Sequence, residues 1–293
     1  MKSENDKIII ENSHEVKMLF LCPKCNLPLT ELDGRCACPT GHSYDRARGG
    51  YYNLLLTYIR GNHGDNRNMV LARQAFLAAG YYSPLAAAIA SAVLEYTPAG
   101  GVLLDAGCGE GYYTDTVERA LFSRDGATRV AGFDISRDAI KVASGKNQRI
   151  SLAVAGSYHM PIPDASVDTL INTFSPLALS ETNRVLRDGG YFIMAIPGEE
   201  HLYELKAVIY DTPYKNTVED TALDGFTLVD DRHISYTMHL ESGSSVMNLF
   251  AMTPYAYRTK QSNAARVAAL SRLDCTADFR LLIYRKGGGV SQN

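Results

Sequence analysis

Residues 103–114 read LLDAGCGEGYYT. An apolar run ends on Asp105, glycines follow at alternate positions (Gly107, Gly109 and Gly111), and a helix-forming stretch opens at Tyr112. This is a strand, a tight turn and a helix. A residue without Cβ lets the turn close sharply and lets a ligand approach the backbone. A dinucleotide fingerprint, G-x-G-x-x-G, would put its third glycine at position 112, where this chain has Tyr112. The D-x-G-x-G-x-G spacing instead suits a ligand with no pyrophosphate to seat on the helix terminus.

The same alternation continues outward from this turn. Upstream, residues 66–95 are rich in Ala and Leu and predict helix, broken near Gly80 and restarted with Pro84 in a first turn. From Gly101 onward VLLDAG, RVAGFDI, ISLAVAGS, VDTLINTF and YFIMAIP read as strands. Residues 112–122, SRDAIKVAS and ETNRVLR read as the helices between them. HLYELKAVIY follows as helix, FTLVDDRHISYTMHL as one or two strands, and DFRLLIYRK as a closing strand. That rhythm predicts an α/β fold, a doubly wound, mostly parallel, seven-stranded sheet covered on both faces. The expected organisation is a flexible arm over 1–17, a small module over 18–57, a helical linker and cap over 58–98, the sheet domain over 99–286 and a tail over 287–293.

Composition sets broad limits. The chain has 293 residues, 46% of them apolar, and its 29 basic and 32 acidic side chains leave a net charge of −3, so the total advertises no general affinity for nucleic acid. No apolar run approaches the roughly 18 residues that would span a bilayer. MKSENDKIIIENSHEVK lacks the apolar core and cleavage site of a secretory leader, which predicts a cytoplasmic protein without a membrane partner.

Four of the six cysteines and a histidine crowd into CPKCNLPLTELDGRCACPTGH, residues 22–42. Cys22, Cys25, Cys38 and His42 spell C-x2-C-x12-C-x3-H, three sulfurs and an imidazole suited to tetrahedral zinc. Four protein ligands close the coordination sphere, so one structural Zn2+ is expected. Such binding is worth on the order of 10–16 kcal/mol, enough to fold a segment with no core of its own. Cys36 could stand in for Cys38, and Cys22 with Cys25 could form a thiol–disulfide pair, although the strand and helix that frame redox C-x-x-C motifs are missing here.

On DAGCGEG, MPIPDASVDTLINTFS and RVLRDGGYFIMAIP the chain resembles the class I S-adenosylmethionine-dependent methyltransferases. The resemblance implies that Asp105, Gly107, Gly109 and Gly111 line the methionine end of the cofactor. Asp134 would hold the ribose, and Gly156 with Ser157 would lie beside the adenine. Asn172 and Phe174 follow the fourth strand, where such enzymes shape the acceptor pocket, and Phe174 could stack on a flipped base. No general base is named by the sequence; His159, His201 and His233 lack triad partners by spacing.

The acceptor is addressed by the additions around the sheet. Between residues 46 and 73 five arginines (Arg46, Arg48, Arg60, Arg67 and Arg73) face one acid, Asp65, with tyrosines interleaved. Guanidinium groups can contact phosphate and aromatic rings can stack on unpaired bases, so Arg46, Arg60, Arg67 and Arg73 are candidate substrate contacts. The competing reading is a solvated linker. The chain from about residue 20 to 286 further resembles the bacterial 23S ribosomal RNA (guanine-N1)-methyltransferases, through CPKC…CPTGHSYD, GGYYNLL, ARQAFLAAGYY, LDAGCGEGYYT, GFDIS, HLYELKAVIYD and MTPYAYR. That resemblance implies the zinc ligands Cys22, Cys25, Cys38 and His42 and a guanine in a hairpin loop of 23S RNA as substrate. It also implies a homodimer, no DNA partner and, for some members, an altered response to macrolide-type antibiotics. The alternative is a small-molecule methyltransferase that uses the zinc module as a scaffold.

Overall fold

The computed structural model describes residues 16–56, 64–218 and 221–287. Residues 1–15 of the expected arm over 1–17, Arg60, and residues 288–293 of the expected tail over 287–293 lie outside the described residues. A four-stranded antiparallel sheet comes first: β1 (Val16–Leu21), β2 (Pro28–Leu32), β3 (Arg35–Ala37) and β4 (Ser43–Asp45), in that spatial order. A two-residue strand β5 (Tyr52–Asn53) leads to helices α1 (Arg67–Ala78) and α2 (Ser83–Tyr96). Asn66 caps α1 by accepting from the Asn68 and Met69 N–H groups. Gly80, at φ +84°, turns the chain before Pro84 restarts it.

The alternating part follows as β6 (Val102–Ala106), α3 (Tyr112–Arg124), β7 (Arg129–Asp134), α4 (Arg137–Ala143), β8 (Ser151–Val154), β9 (Val167–Thr173), α5 (Leu179–Val185) and β10 (Leu186–Pro197). It continues through α6 (Tyr203–Ile209), β11 (Phe226–Leu240), α7 (Gly243–Ala251), α8 (Tyr255–Arg258), α9 (Gln261–Ala268) and β12 (Leu273–Lys286). The sheet runs β11-β12-β10-β9-β6-β7-β8-β5, and β12 is antiparallel to both its neighbours while the other pairings are parallel. Strand order reverses between β6 and β9, and in open α/β sheets ligands bind at the carboxyl ends of strands beside such a reversal.

Seven of these strands are the expected sheet, and the eighth comes from the zinc-side segment. Tyr52 pairs with Ala153 and Asn53 with Val154, and Leu54 N–H adds a 3.0 Å bond to the Val154 carbonyl. Leu21 N–H likewise reaches the Pro161 carbonyl at 2.8 Å. On one face of the sheet α1, α2, α3, α6 and α7 cover Leu103, Ile171, Ile193 and Phe279. On the other face Phe20, Leu29, Cys36, Tyr52 and Leu54 join Leu104, Ala131, Leu170 and Phe192 in one apolar cluster. The zinc-side module therefore forms much of the second covering layer. Among the described residues no single helix is long and apolar enough to cross a membrane. Helices α1 and α2, bent by 84°, pass that test only as a pair, and α2 buries Leu85, Ile89 and Val93 against the sheet.

Phe20, fully buried in that shared cluster, tests the arrangement. Phe20→Ala should destabilise the protein by about 3–5 kcal/mol. Denaturant unfolding followed both by thiol exposure in the module and by the far-UV signal of the sheet should move to one common, lower midpoint.

Candidate cofactor and metal sites

Two backbone knuckles build the metal cluster. In the first, Asn26 N–H bonds the Cys22 carbonyl at 2.8 Å with Asn26 at φ +56°; in the second, Gly41 N–H bonds the Cys38 carbonyl at 3.0 Å with Gly41 at φ +85°. The ligand atoms of Cys22, Cys25, Cys38 and His42 all fall within 4.8 Å of one another. A tetrahedral ion with Zn–S about 2.3 Å and Zn–N about 2.0–2.1 Å would hold S···S near about 3.8 Å and S···N near about 3.6 Å. Cys25 and Cys38 sulfurs are 3.6 Å apart, and His42 Nδ1 is 3.5 Å from the sulfurs of both Cys22 and Cys38. These residues form a metal-binding cluster that fits one structural zinc.

Hydroxyls surround the sulfurs. Thr40 Oγ1 lies 3.1 Å from Cys38 Sγ and 3.2 Å from Cys25 Sγ, and the Tyr44 hydroxyl is 3.2 Å from Cys22 Sγ. Burial works against the Cys38 thiolate, but the Thr40 hydroxyl and neighbouring N–H groups bring its pKa down to about 6. Cys36 is different. It lies mid-strand in β3, fully buried, and burial followed by the Glu31 charge pushes its thiol up to about 12. Strand alternation turns it into the core, so Cys38 and not Cys36 completes the set. The ligand atoms of all four residues converge together, the geometry of a metal cluster rather than of an isolated Cys22–Cys25 pair.

The glycine turn sits at the strand-order reversal. Phe133 carbonyl accepts from Gly107 N–H at 2.9 Å and Cys108 N–H at 3.0 Å. Gly107 has φ +85°, and a Cβ there would fall 2.4 Å from the Ser175 side chain. Gly111, at φ +79°, would collide similarly with Ala143 at 2.9 Å. Asp134 accepts from Gly109 N–H at 3.0 Å and Ser136 N–H at 2.7 Å; burial raises its pKa and these bonds oppose the rise. Asp105 is 1% exposed. Its Oδ2 accepts from Thr114 Oγ1 at 2.6 Å, while its buried Oδ1 has no partner among the described residues. Burial lifts the Asp105 pKa to about 7 despite the Thr114 bond. Ala155 N–H bonds the Asp134 carbonyl at 3.0 Å, which brings Gly156 and Ser157 beside the end of β7.

The acceptor-side candidates divide. Asn172 is buried, and its amide donates to Ser175 Oγ at 2.7 Å; Ser175 Oγ in turn donates to the Ala106 carbonyl at 2.7 Å. Phe174, at φ +55°, is 43% exposed and rests on an aromatic floor made by Tyr82, His201 and Phe279. Sequence reading missed this floor, whose members lie far apart in the chain. His201 accepts the Asp278 N–H at Nδ1, 3.3 Å, and its Nε2 is 3.4 Å from the Tyr82 hydroxyl; burial drops its pKa to about 3, so it stays neutral. The arginines do not form one patch. Arg46 lines a cleft of about 410 Å³ at the amino ends of β6, β7 and β8 and pairs with Glu31 at 3.4 Å. Arg67 is exposed at the start of α1, whereas Arg73 reaches the glycine turn at the carboxyl end of β6.

The single antiparallel strand β12, the sheet order and the D-x-G-x-G-x-G turn at the reversal define a class I S-adenosylmethionine-dependent methyltransferase. A family profile described as "Methyltransferase domain" matches residues 104–194, and one described as "RlmA, N-terminal" matches residues 20–56. The chain is 34% identical over 290 residues to a "putative 23S rRNA (guanine-N(1)-)-methyltransferase" of Micromonospora griseorubida, covering 90% of this chain and 96% of the relative. It is 29% identical to the Bacillus subtilis protein YxjB, which carries the same description, over 92% of this chain and 97% of that one. Identity to the "23S rRNA (guanine(748)-N(1))-methyltransferase" of Streptomyces fradiae is 33% over 63% of this chain and 65% of the relative. The chain belongs to the 23S rRNA (guanine-N1)-methyltransferase family.

Two outcomes follow from these sites. Cys38→Ala should abolish zinc retention while Cys36→Ala keeps one zinc per chain, as read by metal analysis of dialysed protein. Between its ordinary pKa of 3.8 and about 7, Asp105 holds a proton in the folded protein that the unfolded chain has lost. Its contribution to stability is therefore fully present at the acid end and fades as pH rises through that window. Asp105→Asn should gain stability relative to the wild type between pH 4 and pH 8 in denaturation titrations; a constant difference would contradict the assignment.

Proposed function

We propose that this protein transfers the methyl group of S-adenosylmethionine to N1 of a guanine in a hairpin loop of 23S ribosomal RNA. The observation that carries this reading is a likeness extending over 90% of the chain to a relative described as a "putative 23S rRNA (guanine-N(1)-)-methyltransferase". The cofactor, when bound, supplies a sulfonium-activated methyl carbon. The chain supplies alignment. In this reading Gly107, Gly109 and Gly111 allow backbone approach, Asp134 takes the ribose hydroxyls, and Gly156 with Ser157 border the adenine. Asn172 and Ser175 lock the β9 end against Ala106, which fixes the wall facing the methyl group. Phe174 presents an exposed ring beside that wall, suited to stacking an extruded guanine. A neutral His201 under the ring adds no charge that would compete for the base.

The reading carries with it an RNA partner rather than DNA or a membrane, a cytoplasmic location and a homodimer, with Arg46, Arg60 and Arg67 offered to phosphates. Labelled S-adenosylmethionine incubated with ribosomal RNA lacking the native modification should place label on N1 of one guanine in a 23S hairpin. Label confined to small molecules, with RNA untouched, would favour the scaffold alternative. Phe174→Ala should lower kcat/KM on that RNA by about 5- to 150-fold, the equivalent of one lost base stack. Cofactor affinity should be unchanged.

A further inference from the structure

The sequence pattern groups Arg73 with the basic residues facing RNA, but its guanidinium lies over the glycine turn. Arg73 Nη1 is 3.8 Å from the position a Cβ on Gly109 would take. The same nitrogen pairs with the Asp65 carboxylate, and Nη2 donates to the Met252 carbonyl at 3.3 Å. Asp65 is itself fixed, since its carbonyl accepts from Ser136 Oγ at 2.8 Å, two residues past Asp134. The side chain of Arg73 is 27% exposed. It is thus held from two sides, with protons left on Nη1 and Nη2 beyond the two bonds it makes.

We infer that Arg73 holds the carboxylate of the cofactor's methionine, opposite Asp105, which takes the ammonium. A methionine zwitterion needs one anionic and one cationic partner, and the groups around this turn are unequal. Asp105, Glu110, Asp134 and Asp65 are acids, and Lys146 is tied to Glu110 at 3.4 Å. Arg73 is the cation set against Gly109. The unpartnered Oδ1 of Asp105 supplies the other half of the recognition. Gly109 fits the same picture: the guanidinium stands within van der Waals reach of where its Cβ would lie, and its φ of +55° disfavours any side chain there. A planar guanidinium also matches a carboxylate geometrically, which an ammonium does not. The inference rests on the glycine turn being the cofactor site and is independent of the acceptor.

The test compares two ligands on the full-length, zinc-loaded protein. S-adenosylhomocysteine carries the amino-acid end; 5′-methylthioadenosine shares the adenine, ribose and sulfur and lacks it. Arg73→Met should weaken S-adenosylhomocysteine about 10- to 150-fold, the range of a charge-assisted bond, and leave methylthioadenosine unchanged. Arg73→Lys should show a smaller loss confined to the same ligand, and serves if the Met variant fails to fold. Equal weakening of both ligands would make Arg73 a mere support for the turn and overturn the inference. So would unchanged S-adenosylhomocysteine binding with weakened RNA binding. If the wild type bound neither ligand, the cofactor reading would fall and take this inference with it.

Discussion

The missing Cβ of Gly107 is the constraint on which the site depends. Ser175 occupies the space a side chain would need, and from there its hydroxyl ties the end of β9 to the Ala106 carbonyl at the end of β6. Phe133 carbonyl gathers two N–H groups of the same turn, and Asp134 gathers another, so β7 is bound in as well. Three strand ends are thereby joined by short polar links at the one place where strand order reverses. The crevice is rigid because each link is a hydrogen bond between partly or fully buried groups, and a buried group left unmatched would cost about 1–3 kcal/mol. Asp105 Oδ1 is the exception, a local cost that a cationic ligand group would relieve.

The second organising feature is that the zinc module is not an appendage. Rossmann-like sheets bury both faces, and here one face is largely closed by strands β1 to β5 and their apolar side chains. A metal cluster therefore sits a few residues from the core of the catalytic domain. Folding the module, closing the sheet and supporting the loop after β8 become one problem, since Leu54 bonds Val154 just before Gly156 and Ser157.

What could be read from the sequence follows from physical period. Buried parallel strands such as VLLDA and VDTLINT are continuous apolar runs, and knuckle spacing identifies the four ligands without a fold. Strand β5 has only two residues and no period to detect, and its partner lies elsewhere in the chain. The helices over 243–268 are short and gave no clear signal between the last predicted strands. Composition groups Arg73 with Arg46, but the fold puts Arg46 at the amino ends of β6 to β8 and Arg73 over the glycine turn at the carboxyl end of β6. The floor of Tyr82, His201 and Phe279 comes from an α2 N-terminus, a loop and a strand, which no local pattern connects.

The pairing of β5 with β8 also has a consequence in time. Ala153 leaves the ribosome about a hundred residues after Tyr52. At about 5–20 residues per second that is an interval of about 5–20 s. Through it the newly made module has Phe20, Leu29 and Leu54 facing outward with no sheet to lie on. Early metal capture would hold that small unit in shape while it waits. A cell starved of the ion would then lose not an accessory but a folded piece onto which the later strands are laid.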